Sequence, residues 1–423
     1  FLDYLKNFKF TCDVWAVPEG TPIFPGEPIV TVRGPVIQAQ FVETMVLLSI
    51  NHQSLIATKT NRIVRAADGS FVAGSWAKGG VCVVPLPGFR AWTPDDPYLY
   101  TLDITCGEDH VESYFAMRKF SYVELDGHKV FGLNNAPLFH NGLLDQGYYP
   151  DGLLTPPSDE AMVNDIETMK RCGFNMLRKH IKIEPLRWYY HCDRLGMIVW
   201  QDMVSGGQPY SFLHVSALPT LGKVDLPDQD AKPYGRSGVL SRARFRREMA
   251  DTVRLLYNCP CIALWTVFNE GWGQFDSKKA YDKLKSLDKT RIVDSASGWH
   301  DMGKSDVISK HIYFTPIKVK KGNRVYVLSE FGGLGLKLKG HTFNNKMFGY
   351  KVFFSRESLT EAYKRLFTKT IIPQIKDGLS ATVYTQVTDV EDELNGLLTY
   401  DREVEKVDFE TLKKINERVK LND

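Results

Sequence analysis

Two stretches carry the reading of this chain: Ile262-Ala263-Leu264-Trp265-Thr266-Val267-Phe268-Asn269-Glu270-Gly271-Trp272-Gly273 and Val325-Tyr326-Val327-Leu328-Ser329-Glu330-Phe331-Gly332-Gly333. Each is a short apolar run that ends in a polar residue, a glutamate and glycine-containing backbone. Such a run is the pattern of a strand in a parallel sheet covered on both faces. Glutamate is rarely buried without a partner, so two strands that each end in one call for a chemical reason.

Working outward, the chain from residue 124 to 423 alternates strand and helix. Strands are expected at 137–141, 175–178, 197–200, 262–268, 291–294, 307–312, 325–329 and 381–385. Helices are expected at 159–171, 185–195, 241–257, 277–287, 357–375 and 409–419. Eight strands separated by helices over about 300 residues are the signature of a (β/α)8 TIM barrel. In that fold the active site lies at the carboxyl ends of the strands, so both glutamates belong to one face. Trp265, inside its apolar run, is expected in the core.

The region before the barrel reads differently. Residues 73–123 hold three or four short strands, at 81–84, 99–104 and 113–117, with turns at Pro85-Leu86-Pro87-Gly88 and near Gly107. A complete sandwich needs about seven. Residues 1–72 begin with extended runs at 14–17 and 28–32. A helix-compatible stretch follows from Pro35 to Ala67, with Ile37, Phe41, Val42, Met45, Val46 and Leu47 on one stripe. Three pieces are therefore expected: 1–72, 73–123 and 124–423.

The totals exclude several classes. A net charge of +3 over 423 residues gives no case for nucleic acid or an anionic membrane. No apolar run is long enough to span a bilayer. Seven scattered cysteines, an odd number, fit reduced thiols in a cytoplasmic enzyme better than a disulfide framework. Cys259-Pro260-Cys261 lacks a second pair at zinc spacing. No metal and no cofactor are expected. The chain opens Phe1-Leu2-Asp3, without Met, as the interior of a longer frame would.

Paired carboxylates on one face are what glycoside hydrolysis needs. One hands a proton to the leaving oxygen and the other, ionised, attacks the anomeric carbon. Like charges brought close raise one pKa and leave the other low, so the pair sorts its own roles. Around it lie groups suited to a hydroxyl-rich ligand: Arg178 and His180 at the second strand end, Asp202 at the third, Asn269 at the fourth, His311 and Tyr313 at the sixth, Gln386 at the eighth. Taken singly, each is also an ordinary packed or salt-bridged rim residue. Lys337, Lys339 and Lys346 lie in the polar loop after Glu330, solvated by default and a lid on the sharper reading.

These residues resemble glycoside hydrolase family 2, the β-galactosidases, β-glucuronidases and β-mannosidases. Phe268-Asn269-Glu270 is similar to the family's acid/base motif and Ser329-Glu330-Phe331-Gly332 to its nucleophile motif. Trp92-Thr93-Pro94-Asp95-Asp96-Pro97-Tyr98-Leu99-Tyr100 resembles the end of the immunoglobulin-like sandwich before the family's barrel. The segments 142–152 and 175–180, and Trp200-Gln201-Asp202, also resemble family patterns, and the likeness covers about residues 75–423. It implies a truncated immunoglobulin-like sandwich at 73–123, a catalytic barrel after it, and hydrolysis of a terminal non-reducing β-linked sugar. The stereochemistry would be retained through a covalent intermediate on Glu330, with Glu270 as acid and then base. It also implies a carbohydrate substrate, allows a homo-oligomer and suits a bacterial source. Asn344-Asn345-Lys346 has the letters of a uronate motif but precedes the eighth strand, so the sugar stays open.

Residues 1–70 resemble instead an amino-terminal fragment of nicotinate phosphoribosyltransferase, an α+β piece. The likeness rests on Val17-Pro18-Glu19-Gly20-Thr21-Pro22, on 34–43, and on Ile50-Asn51-His52-Gln53-Ser54-Leu55-Ile56-Ala57-Thr58-Lys59. The phosphate-binding parts of that family have no counterpart downstream, so phosphoribosyl transfer is the weakest of three functions, with His52 and Lys59 structural. A remnant of a glycosidase, inactive for want of its missing domains, is the second. The join near 68–79 has no linker, which points to a chimaeric frame.

Overall fold

The computed structural model describes residues 6–16, 29–40, 43, 46, 86–106, 108–219, 225–319 and 322–421. Two compact units emerge: residues 1–86 with 102–113, and residues 87–101 with 114–423. In the first unit, strands Asp13–Ala16 and Val30–Arg33 pair antiparallel with Asp13 opposite Arg33. The expected helix from Pro35 is seen over 36–40. Most of its stripe, the stretch 81–84, the proposed join, and His52 and Lys59 lie outside the described residues. Strands Tyr100–Cys106 and Asp109–Phe115 form a two-stranded sheet.

The second unit is a parallel eight-stranded barrel. Its strands are β1 (His140–Asp145), β2 (Met176–Lys179), β3 (Ile198–Asp202), β4 (Ile262–Thr266), β5 (Ile292–Asp294), β6 (Val307–Ile312), β7 (Val325–Gly332) and β8 (Leu379–Thr385). They neighbour one another in chain order, and β8 pairs back onto β1 with Ala381 opposite His140. The seam between β5 and β6 is closed by other bonds. Asp306 N–H donates to the Val293 carbonyl at 2.9 Å, and Val293 N–H donates to Asp306 Oδ2 at 2.8 Å. Nearly every strand residue is buried, as the unbroken apolar runs require. Trp265 is fully buried, its indole N–H on Asp288.

The outer helices are α1 (Asp159–Arg171), α2 (Leu186–Leu195), α3 (Val239–Leu256), α4 (Ser277–Leu287), α5 (Arg356–Leu366) and α6 (Phe409–Asn416). Ser158 caps α1 by accepting from the Ala161 N–H, and Ser355 closes a capping box on α5. The expected single helix 357–375 is broken. After Leu366 the chain widens into a π turn at Phe367–Ile371, then resumes over Ile372–Ile375. Pro373 has no N–H to continue the ladder, which accounts for the irregularity before it.

One other expectation shifts. The strand expected at 137–141 divides. Ala136–Pro137 joins an antiparallel ribbon with Phe120–Leu125 and His128–Leu133, and the barrel strand starts only at His140. This ribbon plugs the amino-terminal mouth. Phe131 N–H donates to Ser380 Oγ at 2.7 Å, and its ring stacks on His140 at 4.7 Å and meets Trp200 edge-on. Trp92, from the sandwich-like signature, is fully buried and donates to the Asp193 carbonyl of α2. Among the described residues no helix is long and apolar enough to cross a membrane.

Candidate active site

The carboxyl mouth is organised by Arg178, the third residue of β2. Its guanidinium is fully buried and spans four strands. Nε and Nη2 hold Asp202, at the end of β3, in a two-point grip with both bonds at 3.0 Å. Nη2 also donates to Asn269 Oδ1 at 2.8 Å. Nη1 reaches Glu330 Oε1 at 3.1 Å and the Ser329 carbonyl at 3.0 Å. A planar fork with five donors is the side chain suited to that task. Burial alone would lower its pKa. Asp202 and Glu330 more than reverse this, so it stays charged.

Glu330 lies in β7 with only 6% of its side chain exposed. Besides Arg178 it receives the Tyr313 hydroxyl on Oε2 at 2.8 Å. Glu270 stands just beyond β4 at φ 53°, a left-handed conformation costly for a residue with a Cβ. At Gly271 (φ 76°) a Cβ would come within 2.8 Å of His300, and at Gly332 (φ 92°) within 2.3 Å of the Tyr384 ring. The glycines quoted beside each glutamate are therefore required by the turns that aim it.

His311, the fifth residue of β6, joins the pair. Its Nδ1 lies 2.8 Å from Glu270 Oε1 and 3.5 Å from Glu330 Oε2. Burial pushes its pKa down to about 4, so the ring is neutral at pH 7. Nε2 faces an Arg178 nitrogen at 3.4 Å, which can only donate. Nε2 is therefore the acceptor, and Nδ1–H donates to Glu270. The facing ligand atoms of Glu270, His311 and Glu330 all lie within 4.8 Å of one another, and such a group could also hold a metal ion.

Burial raises both glutamates, against the expectation that one stays low. Glu270 is pushed up to about 7, with Arg178 opposing. Its side chain is 34% exposed, which places it at the open side of the cleft. For Glu330 burial again leads, but His311, Arg178 and Tyr313 pull the other way while Glu270 adds to the rise. The asymmetry therefore comes from unequal partners more than from mutual repulsion alone.

Every candidate residue except Gln386 bonds within this network. His180 Nε2 is 3.2 Å from Asn269 Nδ2 and 3.8 Å from Glu330 Oε1. Tyr313 OH is 3.0 Å from Thr385 Oγ1, next to Gln386. Gln386 is buried and bonds Glu393, Asn395 and Gln146. The lysine loop makes none of these bonds: Lys337 donates to the Asn345 carbonyl, and Lys346 lies 3.8 Å from Asp392, next to Glu393 in the chain, with its side chain 80% exposed.

Sequence reasoning missed several partners. Ser297, Ser309 and Ser329 form a buried hydroxyl cluster, and Ser297 Oγ lies 3.0 Å from His311 Nε2. Trp299 donates to the Glu270 carbonyl, and Tyr350 stacks on Tyr313 at 3.6 Å. Gln146 and Glu393 extend the mouth beyond Gln386. Serines and loop residues far apart in sequence leave no periodic signal. Gln146 directly follows the observed strand His140–Asp145, but the strand expected at 137–141 ends five residues before it, so the sequence does not mark it as a strand-end residue.

Comparison with known proteins gives two matches of different kinds. Residues 155–326 match the model of the glycosyl hydrolases family 2 TIM barrel domain, and residues 1–51 match the nicotinate phosphoribosyltransferase N-terminal domain. A beta-galactosidase of Enterobacter cloacae is 27% identical over 245 residues, which is 56% of this chain and 21% of that protein. A nicotinate phosphoribosyltransferase of Mycobacterium tuberculosis is 55% identical over 69 residues, 16% of this chain and 15% of that protein. The chain thus spans about a fifth or less of these relatives. A GH2 beta-galacturonidase from Eisenbergiella tayi has TM-score 0.59 at 17% identity, covering 79% of this chain and 60% of that one. A Parabacteroides merdae beta-glucuronidase has TM-score 0.57 at 18% identity, covering 78% and 43%. These two likenesses speak for the barrel fold. This chain is thus similar, over residues 155–326, to the TIM barrel domain of the glycosyl hydrolases family 2, and, over its first 51 residues, to the nicotinate phosphoribosyltransferase N-terminal domain.

Proposed function

We propose that the chain is a retaining β-glycosidase acting on a terminal non-reducing sugar, with Glu330 as nucleophile and Glu270 as acid/base. The observation that carries this is the approach of the two carboxylates, whose facing oxygens lie within 4.8 Å of each other across His311. Retaining enzymes hold the pair about 5–5.5 Å apart, whereas inverting ones leave about 6.5–9.5 Å for a water. In the first step the ionised Glu330 attacks the anomeric carbon. Glu270 gives its proton to the departing oxygen, leaving a glycosyl ester. In the second step Glu270 takes a proton from water, which displaces Glu330.

The partners suit these roles. Glu330 is bonded by Arg178 and Tyr313, which favour its ionised form. Glu270, at about 7, still carries its proton near neutral pH. Arg178, Asp202, Asn269, His180 and His311 would hold the pocket in shape and, with Tyr313 and Gln386, meet sugar hydroxyls. Residues 124–423 form the catalytic part in this reading, with 73–123 a partial sandwich and 1–72 a foreign fragment. Five of the seven cysteines, Cys12, Cys172, Cys192, Cys259 and Cys261, are free thiols, which favours the cytoplasm. The test is a panel of aryl β-glycosides with the anomer of the first product read by NMR. Release of the β-anomer supports the assignment, the α-anomer overturns retention, and no cleavage by folded protein favours the inactive remnant.

A further inference from the structure

Barrel strands four apart lie across the mouth from each other, so β8 faces β4. Beyond β4 stands Glu270, which on the proposed reading faces the leaving group. Beyond β8 stands Gln386, so its sector borders the retained sugar. There the structure places a third carboxylate. Glu393 Oε2 accepts from Gln386 Nε2 at 2.9 Å and from Gln146 Nε2 at 3.4 Å. Gln146 follows β1 and also donates to Gln386 Oε1 at 2.8 Å. The cluster ties into the catalytic pair through Thr385 and Tyr313, whose hydroxyl bonds Glu330. Glu393 is half-buried, so part of it still faces open space. Burial raises its pKa, the Gln386 bond opposes this, and the charge of Glu270 adds to the rise, as expected if both carboxylates face one cleft.

The buried cations around this space are committed. Arg178 is divided between Asp202 and Glu330. Lys179 is buried between Asp145 and Glu184, and Lys182 pairs with Glu184 and the Gly147 carbonyl. Lys346, in the neighbouring loop, lies 3.8 Å from Asp392 with its side chain 80% exposed. A carboxylate on the substrate would thus meet Glu270, Glu330 and Glu393 with no buried cation among these groups free to pair with it. A carboxylate flanked by amides is instead a strong acceptor for sugar hydroxyls.

We propose that Glu393, with Gln386 and Gln146, is a specificity-determining cluster that selects a neutral sugar and rejects its uronic acid counterpart. This rests on the glycosidase reading of the same mouth. The experiment is calorimetry on the full chain with glucono-, galactono- and mannono-lactone, each beside its C6-carboxylate counterpart. At least one neutral lactone should bind about tenfold or more tighter than its acid counterpart. Glu393→Gln should reduce that ratio by about threefold or more. Equal or tighter binding of the acid, no binding of any lactone, or an unchanged ratio in the variant overturns the inference. Aryl glycoside hydrolysis is measured alongside. Selective lactone binding without hydrolysis retracts the activity and keeps the cluster, whereas preferred cleavage of a uronide keeps the activity and retracts the cluster.

Discussion

At the amino-terminal mouth of the barrel, Phe131, His140 and Trp200 pack into a buried aromatic plug. At the carboxyl mouth, Arg178, Asp202, Glu270 and Glu330 are held in a charged network. Even the histidines differ in use. His140 is pushed down to about 3 by burial, and its Nδ1 accepts from the Trp200 indole. His311, equally neutral, is aimed between two carboxylates. An apolar contact is non-directional and satisfied by burial, so the plug can be optimised for stability alone. A buried charge must be paired at each step, so the opposite mouth gives up stability to hold its groups. One barrel thus separates folding from chemistry by end.

Substitutions sharpen that contrast. The largest effect is expected at Glu330→Gln, which should lower kcat on an aryl glycoside by about 10^4-fold or more without lowering Tm. Retained turnover would reassign the nucleophile. Glu270→Gln comes next, with a loss of roughly 10^2–10^4-fold on poor leaving groups and far less on activated ones. In the wild type, activity should fall as pH rises past about 7 if Glu270 is the proposed acid, because it then loses the proton it would donate. This limb should vanish from the variant's first step, read as the burst of an activated aryl glycoside. A limb that persists would place the acid elsewhere.

The two mouths should then part in kind. Phe131→Ala at the plug should cost about 3–5 kcal/mol in denaturant unfolding while kcat of the folded fraction is unchanged. Arg178→Met should cost a similar 3–5 kcal/mol, because Asp202 and Glu330 lose their shared partner, and should also abolish turnover. If Phe131→Ala lowered kcat in folded protein, the separation by end would be broken.

The smallest effect concerns stability and pH. The Glu270 carboxyl rises from 4.5 to about 7 on folding. The folded state therefore holds this proton more tightly, a stabilisation present below pH 4.5 and lost as pH rises through 7. Above that, an ionised Glu270 is a net cost. Glu270→Gln removes it and should raise Tm at pH 8 by roughly 2 °C, with less gain at pH 5.

What the sequence determined by itself is the barrel and its two glutamates. Unbroken apolar runs can be satisfied only where both faces of a strand are covered, and a glutamate with glycine at the end of such a run has one place to go. Helix ends were equally legible where local chemistry sets them, as at Ser158 before α1. Only the tertiary structure decided the rest. It moved the first strand to His140–Asp145, because a ribbon closing over the mouth claims Ala136–Pro137. It also made Arg178 a hub for four strands and brought Ser297, Tyr350, Gln146 and Glu393 to the mouth. These positions answer to pairing and desolvation among groups distant in the chain. No local period or propensity encodes that, because the cost of a buried charge depends on what the fold sets beside it.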